Sequence, residues 1–275
     1  MSRFEIEGAR VVVTGAGSGI GAATALLCAE RGAGAIASVD IDGEAAELTA
    51  ERCREAGAEA SAHVCDVADA AAVRELARGI ETDSAGVDLL VNNAGVGVAG
   101  PFLETEPEDW DWLVGINLNG VAYGCREFGR GMVERGRGAV VNVASGAAYV
   151  MNRDMAAYCA SKAGVVALSR CLRADWAGAG VSVSVVCPGV INTPIATRTR
   201  MYGELASRQD KLASAFRFGH SPEIVAKAIV RAAEKSQAVV PVGLEAELAY
   251  RLLPLVPSPI HNLLTRAGVG NLVRS

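Results

Sequence analysis

Arg10-Val11-Val12-Val13-Thr14-Gly15-Ala16-Gly17-Ser18-Gly19-Ile20-Gly21 is the stretch that decides the fold. Its consecutive valines predict a strand buried on both faces, and the glycines behind them predict a tight turn into a helix. Such a turn lets backbone N–H groups and the positive helix end approach a pyrophosphate without Cβ clashes, although glycine-rich turns also serve close helix–strand packing. Asp40 ends the next apolar run, Ala35–Asp40, nineteen residues after Gly21. That is close to the spacing at which a carboxylate accepts hydrogen bonds from an adenosine ribose. It would repel a 2′-phosphate, and no Lys or Arg interrupts Ala16-Gly17-Ser18, so NAD is favoured over NADP.

Further short β-branched runs at Ala58–Val64, Val87–Asn92, Ala139–Val143 and Val181–Cys187, with a seventh at Ala238–Val242, alternate with Ala/Leu/Glu-rich stretches. Helices are expected near 19–31, 43–56, 68–83, 106–134, 156–178 and 222–235, the last with Ser221 as N-cap and Pro222 at its first position. This β-α-β-α rhythm predicts an α/β protein of one domain. Its form is a Rossmann-type, doubly wound parallel sheet of about seven strands with helices on both faces.

Of 275 residues, 51% are hydrophobic and 21% charged, which suits a globular core and excludes a disordered or low-complexity chain. A net charge of −5 gives no basic field for phosphodiester polymers, so no nucleic-acid partner is expected. Seven scattered cysteines without a C-x-x-C pair suit a reducing compartment, and three distant histidines give no metal-ligand spacing, so no metal site is expected. The first residues carry two acids and no apolar signal core, and no apolar run reaches the ~18 residues of a membrane span. A cytoplasmic protein is the expectation.

The spacing Gly15, Gly19, Gly21 behind Thr14 resembles the T-G-x-x-x-G-x-G motif of the short-chain dehydrogenase/reductase family. Asn92-Asn93-Ala94-Gly95 after the fourth strand, Asn117 in the next helix, Ser145, the Tyr158-x-x-x-Lys162 motif and Pro188-Gly189 after the sixth strand stand in that family's order. The resemblance covers residues 8–243. It implies a cofactor site of Gly15, Ser18, Gly19, Ile20, Gly21, Asp40, Ile41, Asp66, Val67, Asn93, Ala94, Gly95, Tyr158, Lys162, Pro188, Gly189, Ile191 and Thr193. In it Asp66-Val67 meet the adenine, and Ile191 and Thr193 the nicotinamide carboxamide. It also implies a homodimer or homotetramer through the helices near 106–134 and 156–178.

Tyr158 and Lys162, one helical turn apart, share a helix face and can act on one bound molecule, though many helices carry such a pair only for packing. Removing hydride from an alcohol carbon requires a base for the hydroxyl proton and donors for the developing oxyanion. Tyr158 fits the acid/base, its phenolate favoured by the Lys162 ammonium and the nicotinamide positive charge. The resemblance implies that Lys162 also holds the nicotinamide ribose, that Ser145 binds the substrate oxygen and that Asn117 orders a proton-relaying water. A polar residue that bends its helix is the other reading of Asn117.

Val96, Ala147, Met151, Met155, Ile195, Met201 and Tyr202 are expected to line a mostly apolar pocket. A hydrophobic secondary alcohol or ketone of steroid, terpenoid or lipid type fits that lining. Arg153 and Arg198 are surface arginines or partners of a substrate carboxylate. Beyond residue 243, Leu244, Leu248 and Leu252 recur every fourth residue and Ile260, Leu263 and Leu264 begin a second apolar face. Residues 244–275 therefore read as a helical extension that packs over the substrate mouth, on a neighbouring subunit, or shallowly on a membrane. A non-catalytic dinucleotide sensor is the competing function, and the intact Asn117, Ser145, Tyr158 and Lys162 set argues against it.

Overall fold

Val11 and Val13 face one helical layer and Val12 the other, which puts β1 (Arg10–Thr14) inside the sheet and not at its edge. In this computed structural model, which describes residues 4–82 and 86–266, the chain continues as α1 (Gly19–Glu30), β2 (Ala35–Asp40), α2 (Gly43–Glu55), β3 (Glu59–Val64), α3 (Ala70–Thr82) and β4 (Leu89–Asn92). A short β5 (Val98–Ala99) precedes α4 (Pro107–Val114), α5 (Gly120–Arg135), β6 (Gly138–Val143), α6 (Ala156–Asp175) and β7 (Val181–Pro188). Then follow α7 (Ile195–Arg198), β8 (Arg200–Met201), α8 (Gln209–Phe216), α9 (Pro222–Glu234), β9 (Val239–Val242), α10 (Leu244–Leu252) and α11 (Ser258–Arg266).

The main sheet is parallel and ordered β3-β2-β1-β4-β6-β7-β9, as the apolar runs predict. The chain builds outward from β1 to β3, then returns to β4 on the other side of β1. Connections therefore leave the carboxyl ends of β1 and β4 in opposite directions, and a crevice opens between them. One face is covered by α1, α2 and α9 through residues such as Ala25, Cys28, Cys53 and Ile229. The other is covered by α3, α5 and α6 through Val73, Phe128, Met132 and Val165.

Three expectations are corrected. The single helix near 106–134 is instead α4 and α5 joined by a π turn, Gly115–Asn119, which carries Asn117. Its widened hydrogen-bond spacing lets that amide turn out of the helix to a loop partner. The helix near 156–178 ends at Asp175, with a separate 3₁₀ turn at Ala177–Ala179. In the extension, the leucine stripe is not the buried face: Ala246 and Ala249 are buried, while Leu244, Leu248 and Leu252 stay 47–71% exposed. The extension's last residues, 267–275, and residue 83 at the expected end of the third helix lie outside the described residues. The described part touches its own domain: Tyr250 stacks edge-on against Tyr149 at 5.2 Å, and Thr265 O accepts the Arg153 N–H at 3.2 Å. No described helix is long and apolar enough to cross a membrane.

A buried polar chain ties two neighbouring central strands, β4 and β6, to α6. Asn92 Nδ2 donates to Asn142 Oδ1 at 2.8 Å across paired strands, and Asn142 Nδ2 donates to Ser169 Oγ at 3.0 Å. Replacing one member orphans the others in a low-dielectric interior. Asn142→Leu is expected to cost about 2–3 kcal/mol of stability, read as a lower denaturation midpoint at unchanged slope. A loss below about 0.5 kcal/mol would show that the chain is not a stabilising unit.

Candidate active site

The crevice between β1 and β4 is closed at its floor by side chain to backbone bonds. Thr14 Oγ1 accepts the N–H groups of Asn93 at 3.0 Å and Ala94 at 3.2 Å. Asn93 Nδ2 donates to the carbonyls of Thr14 at 3.0 Å and Gly15 at 3.1 Å. Gly15 has φ of +65°, and a Cβ at Gly21 would stand 2.0 Å from Gly15 O, so neither position tolerates a side chain. The turn thus presents bare backbone at the N-terminus of α1, where Gly19, Ile20 and Gly21 form the first helical turn behind Ser18.

Asp40 is already oriented toward this turn. Its Oδ2 accepts the Gly17 N–H at 2.8 Å and its Oδ1 accepts the Asp42 N–H at 3.1 Å. Each oxygen keeps a lone pair for another donor. Next to it Ile41 is exposed, while at the end of β3 the Asp66 carboxylate accepts the Ala68 N–H at 2.9 Å and Val67 is buried. On the far side, the loop after Pro188-Gly189 brings Thr193 against the turn, 3.1 Å from where a Gly19 Cβ would lie. Buried Ile191 fixes that loop by pairing with His220. The backbone cradle and the free acceptors fit a dinucleotide.

Ser145 stands two residues beyond β6 and its Oγ accepts the Ala147 N–H at 3.1 Å, which starts a 3₁₀ turn and fixes the hydroxyl at the crevice mouth. Tyr158 and Lys162 lie on one face of α6, with Lys162 Nζ 5.8 Å from the Tyr158 ring centroid. Lys162 is buried and donates to Val143 O at 3.1 Å. Asn117 and Lys162 meet at Gly95, where an added methyl would lie 3.3 Å from both polar atoms. Ser145, Tyr158, Lys162 and Asn117 therefore converge beside the glycine turn.

Burial acts on the two titrating groups in opposite directions. It raises the Tyr158 phenol above its ordinary value, with the Ser145 hydroxyl hydrogen-bonded to it pulling the other way. It lowers the Lys162 ammonium to about 8, with the Cys187 sulfur opposing. Each shift disfavours a lone charge in the crevice. The sequence points to the Lys162 ammonium and the nicotinamide charge as what favours the phenolate; in this geometry burial is the largest influence on Tyr158, and it acts the other way.

Asn117 is more committed than its motif suggests. Its Oδ1 accepts the Val96 N–H at 2.8 Å, and its Nδ2 donates to Val96 O at 2.9 Å and Ser161 Oγ at 3.3 Å. It holds the Gly95-Val96 loop against Lys162, and both original readings of it fit that position. Val96 and Tyr202 pack in one cluster with Tyr158, and Met155 and Met201 pack with Phe216, which the sequence did not single out. Met151 is half exposed, Arg153 pairs with Asp154, and Arg198 is exposed on α7.

The sequence also missed Glu245 of α10. It accepts the Val190 N–H at 3.0 Å and lies 3.3 Å from His220, so the extension braces the loop after Gly189. No spacing signal links residues so far apart. Among the described residues no cluster of His, Cys, Asp or Glu could hold a metal ion.

The profile described as short chain dehydrogenase matches residues 9–202. The Mycobacterium tuberculosis protein named "Probable oxidoreductase EphD" is 40% identical over 260 residues, 92% of this chain and 44% of that protein. The chain thus spans less than half the length of that relative. D-threitol dehydrogenase of Mycolicibacterium smegmatis is 41% identical over 234 residues, 84% of this chain and 88% of that one. A short chain dehydrogenase/reductase from Burkholderia phymatum, solved in complex with NAD, is 32% identical with a TM-score of 0.84, covering 92% of this chain and 96% of that one. Sequence and fold agree along most of the chain, and the protein belongs to the short-chain dehydrogenase/reductase family.

Proposed function

We propose that this protein is an NAD-dependent oxidoreductase that interconverts a secondary alcohol and its ketone, with Tyr158 as the acid/base. The observation that carries the reading is the convergence of Ser145, Tyr158, Lys162 and Asn117 beside the glycine turn at the carboxyl ends of β1 and β4. When bound, the dinucleotide supplies the acceptor for the hydride that leaves the alcohol carbon.

Ser145 donates its hydroxyl hydrogen to the substrate oxygen, and Tyr158 Oη takes the alcohol proton as the carbonyl forms. Lys162, held at Val143 O, places its ammonium where it stabilises the phenolate and reaches the cofactor ribose. Asn117 and the Gly95-Val96 loop keep that ammonium in place, and a water ordered there carries the proton outward. The 18 cofactor positions keep their expected roles in this reading, with Asp40 on the adenosine ribose.

For substrate we propose a hydrophobic secondary alcohol or ketone, supported by the apolar cluster of Val96, Tyr202 and Tyr158 and by Met155, Met201 and Phe216. A polyol is the second reading, favoured by the 41% identity to a D-threitol dehydrogenase. A panel of both classes, followed by NADH absorbance, separates them: turnover confined to polyols rejects the hydrophobic assignment. An assembly through α4, α5 and α6 belongs to the same proposal, and a monomer in sedimentation analysis would reject it.

Tyr158→Phe is expected to abolish turnover, by about 10³-fold or more, and to leave NAD affinity within about twofold, since it removes the group that moves the proton while the other seventeen cofactor positions remain. Turnover near that of the wild type rejects the assignment. Lys162→Ala is expected to impair both rate and NAD affinity. If calorimetric NAD binding is unchanged, its ribose role is lost.

Asp40 carries the cofactor choice. The wild type is expected to favour NAD, and Asp40→Ala removes an acceptor for NAD and a repulsion against NADP. The ratio of their kcat/KM values is expected to fall about 10-fold or more, equivalent to about 1.4 kcal/mol. Ile41→Arg should shift it further toward NADP. A wild type that favours NADP, or an unchanged ratio in Asp40→Ala, assigns Asp40 only to capping the Gly17 turn.

A further inference from the structure

Asp109 takes no part in the chemistry above, yet at 4% exposure it is the most buried carboxylate among the described residues. A buried carboxylate persists only with partners. Asp109 has two, both from a segment about ninety positions away: Arg200 Nη1 donates to Oδ1 at 2.6 Å, and the Tyr202 hydroxyl donates to Oδ2. Burial pulls the Asp109 carboxyl upward, but these hydrogen bonds and the Arg200 charge outweigh it and hold the group below the usual range. The Arg200 guanidinium also lies 3.7 Å from the Trp112 ring centroid, so α4 grips it by charge and by stacking.

Arg200 and Tyr202 stand two residues apart, on one side of extended backbone that bonds to the loop before α4. Arg200 N donates to Gly97 O at 3.1 Å and Tyr202 N to Ala99 O at 2.9 Å. Two main-chain bonds are too few to keep a two-residue ladder formed by themselves. The intervening Met201 packs instead with Met155 and Phe216, while Tyr202 and Trp112 pack with Val96, Ala157 and Tyr158. The clamped segment is therefore the wall next to the acid/base.

We propose that Asp109 is the positioning residue of the substrate-side wall: by holding Arg200 and Tyr202 it fixes Met201 and Tyr202 beside Tyr158 before substrate arrives. A wall ordered in advance spares the substrate the entropy of ordering it, so the clamp acts on substrate affinity more than on the chemical step. The kinetic part of the test rests on the proposed alcohol oxidation, and a second part does not.

Asp109→Asn keeps the shape and removes the charge, and Tyr202→Phe keeps the ring and removes only the hydroxyl. In Asp109→Asn the KM for the alcohol is expected to rise about tenfold, with kcat and the KM for NAD within about twofold. Tyr202→Phe is expected to do the same more weakly, and the double variant to be no worse than Asp109→Asn alone, because both break one clamp. The second part is trypsin cleavage at Arg198, Arg208, Lys211 and Arg217, which flank the clamped residues 200–202 on α7 and around α8, well below the melting temperature. Cleavage there is expected to be about tenfold faster in Asp109→Asn than in the wild type, whether or not an alcohol is turned over. An unchanged cleavage rate overturns the proposal, as does a parallel loss of kcat and NAD affinity, which would mark general damage and not a local wall.

Discussion

The hydrogen bonds between Thr14 and the Asn93-Ala94 backbone join residues 79 and 80 positions apart in sequence, where the sheet's connections diverge. Everything at the crevice is referred to that junction. It fixes the carbonyls of Thr14 and Gly15 through Asn93 Nδ2, and hence the left-handed turn that aims α1. From its other side leaves Gly95-Val96, which meets Asn117 and Lys162. Each bond satisfies a backbone group that has no ladder partner, so a lost member costs about 1–3 kcal/mol and loosens both ends of the site together.

The same burial that makes this junction rigid explains the electrostatics of the crevice. Taken singly, a phenolate at Tyr158 and an ammonium at Lys162 are both disfavoured there, as their opposite shifts record. A low dielectric also strengthens the attraction between the two, which offsets part of what each loses on burial. In the proposed reaction an ammonium kept at Lys162 thus eases proton removal from Tyr158.

How far the sequence was legible follows the same physics. Features set by local geometry were readable: the valine run of β1, the glycine spacing of the turn, Asp40 at a strand end and the one-turn spacing of Tyr158 and Lys162 all appear where their patterns put them. The family's motif order supplied Ser145 and Asn117, whose positions no periodicity reveals. What stayed hidden depends on side chains meeting across long separations. The π turn at Asn117 exists because its amide bonds Val96, 21 residues back, and Arg200 reaches Asp109 across 91 residues. The leucine stripe of α10 misled for the complementary reason: its period is helical, but the small Ala246 is what fits against Gly146.

These two kinds of construction divide the molecule. The nucleotide end is built from backbone, with glycines and caps whose replacement strains the main chain itself, so it has little room to vary. The substrate end is assembled from separate segments: the β5–β8 ladder, α8 through Phe216, and the extension through Tyr250 and Glu245. These segments contribute little to the two core clusters that cover the seven strands, so they can be altered with less disturbance to the sheet. In the proposed reaction the hydride chemistry and the choice of alcohol thus rest on different parts of the chain, the second braced by contacts such as that of Glu245 with the Val190 N–H.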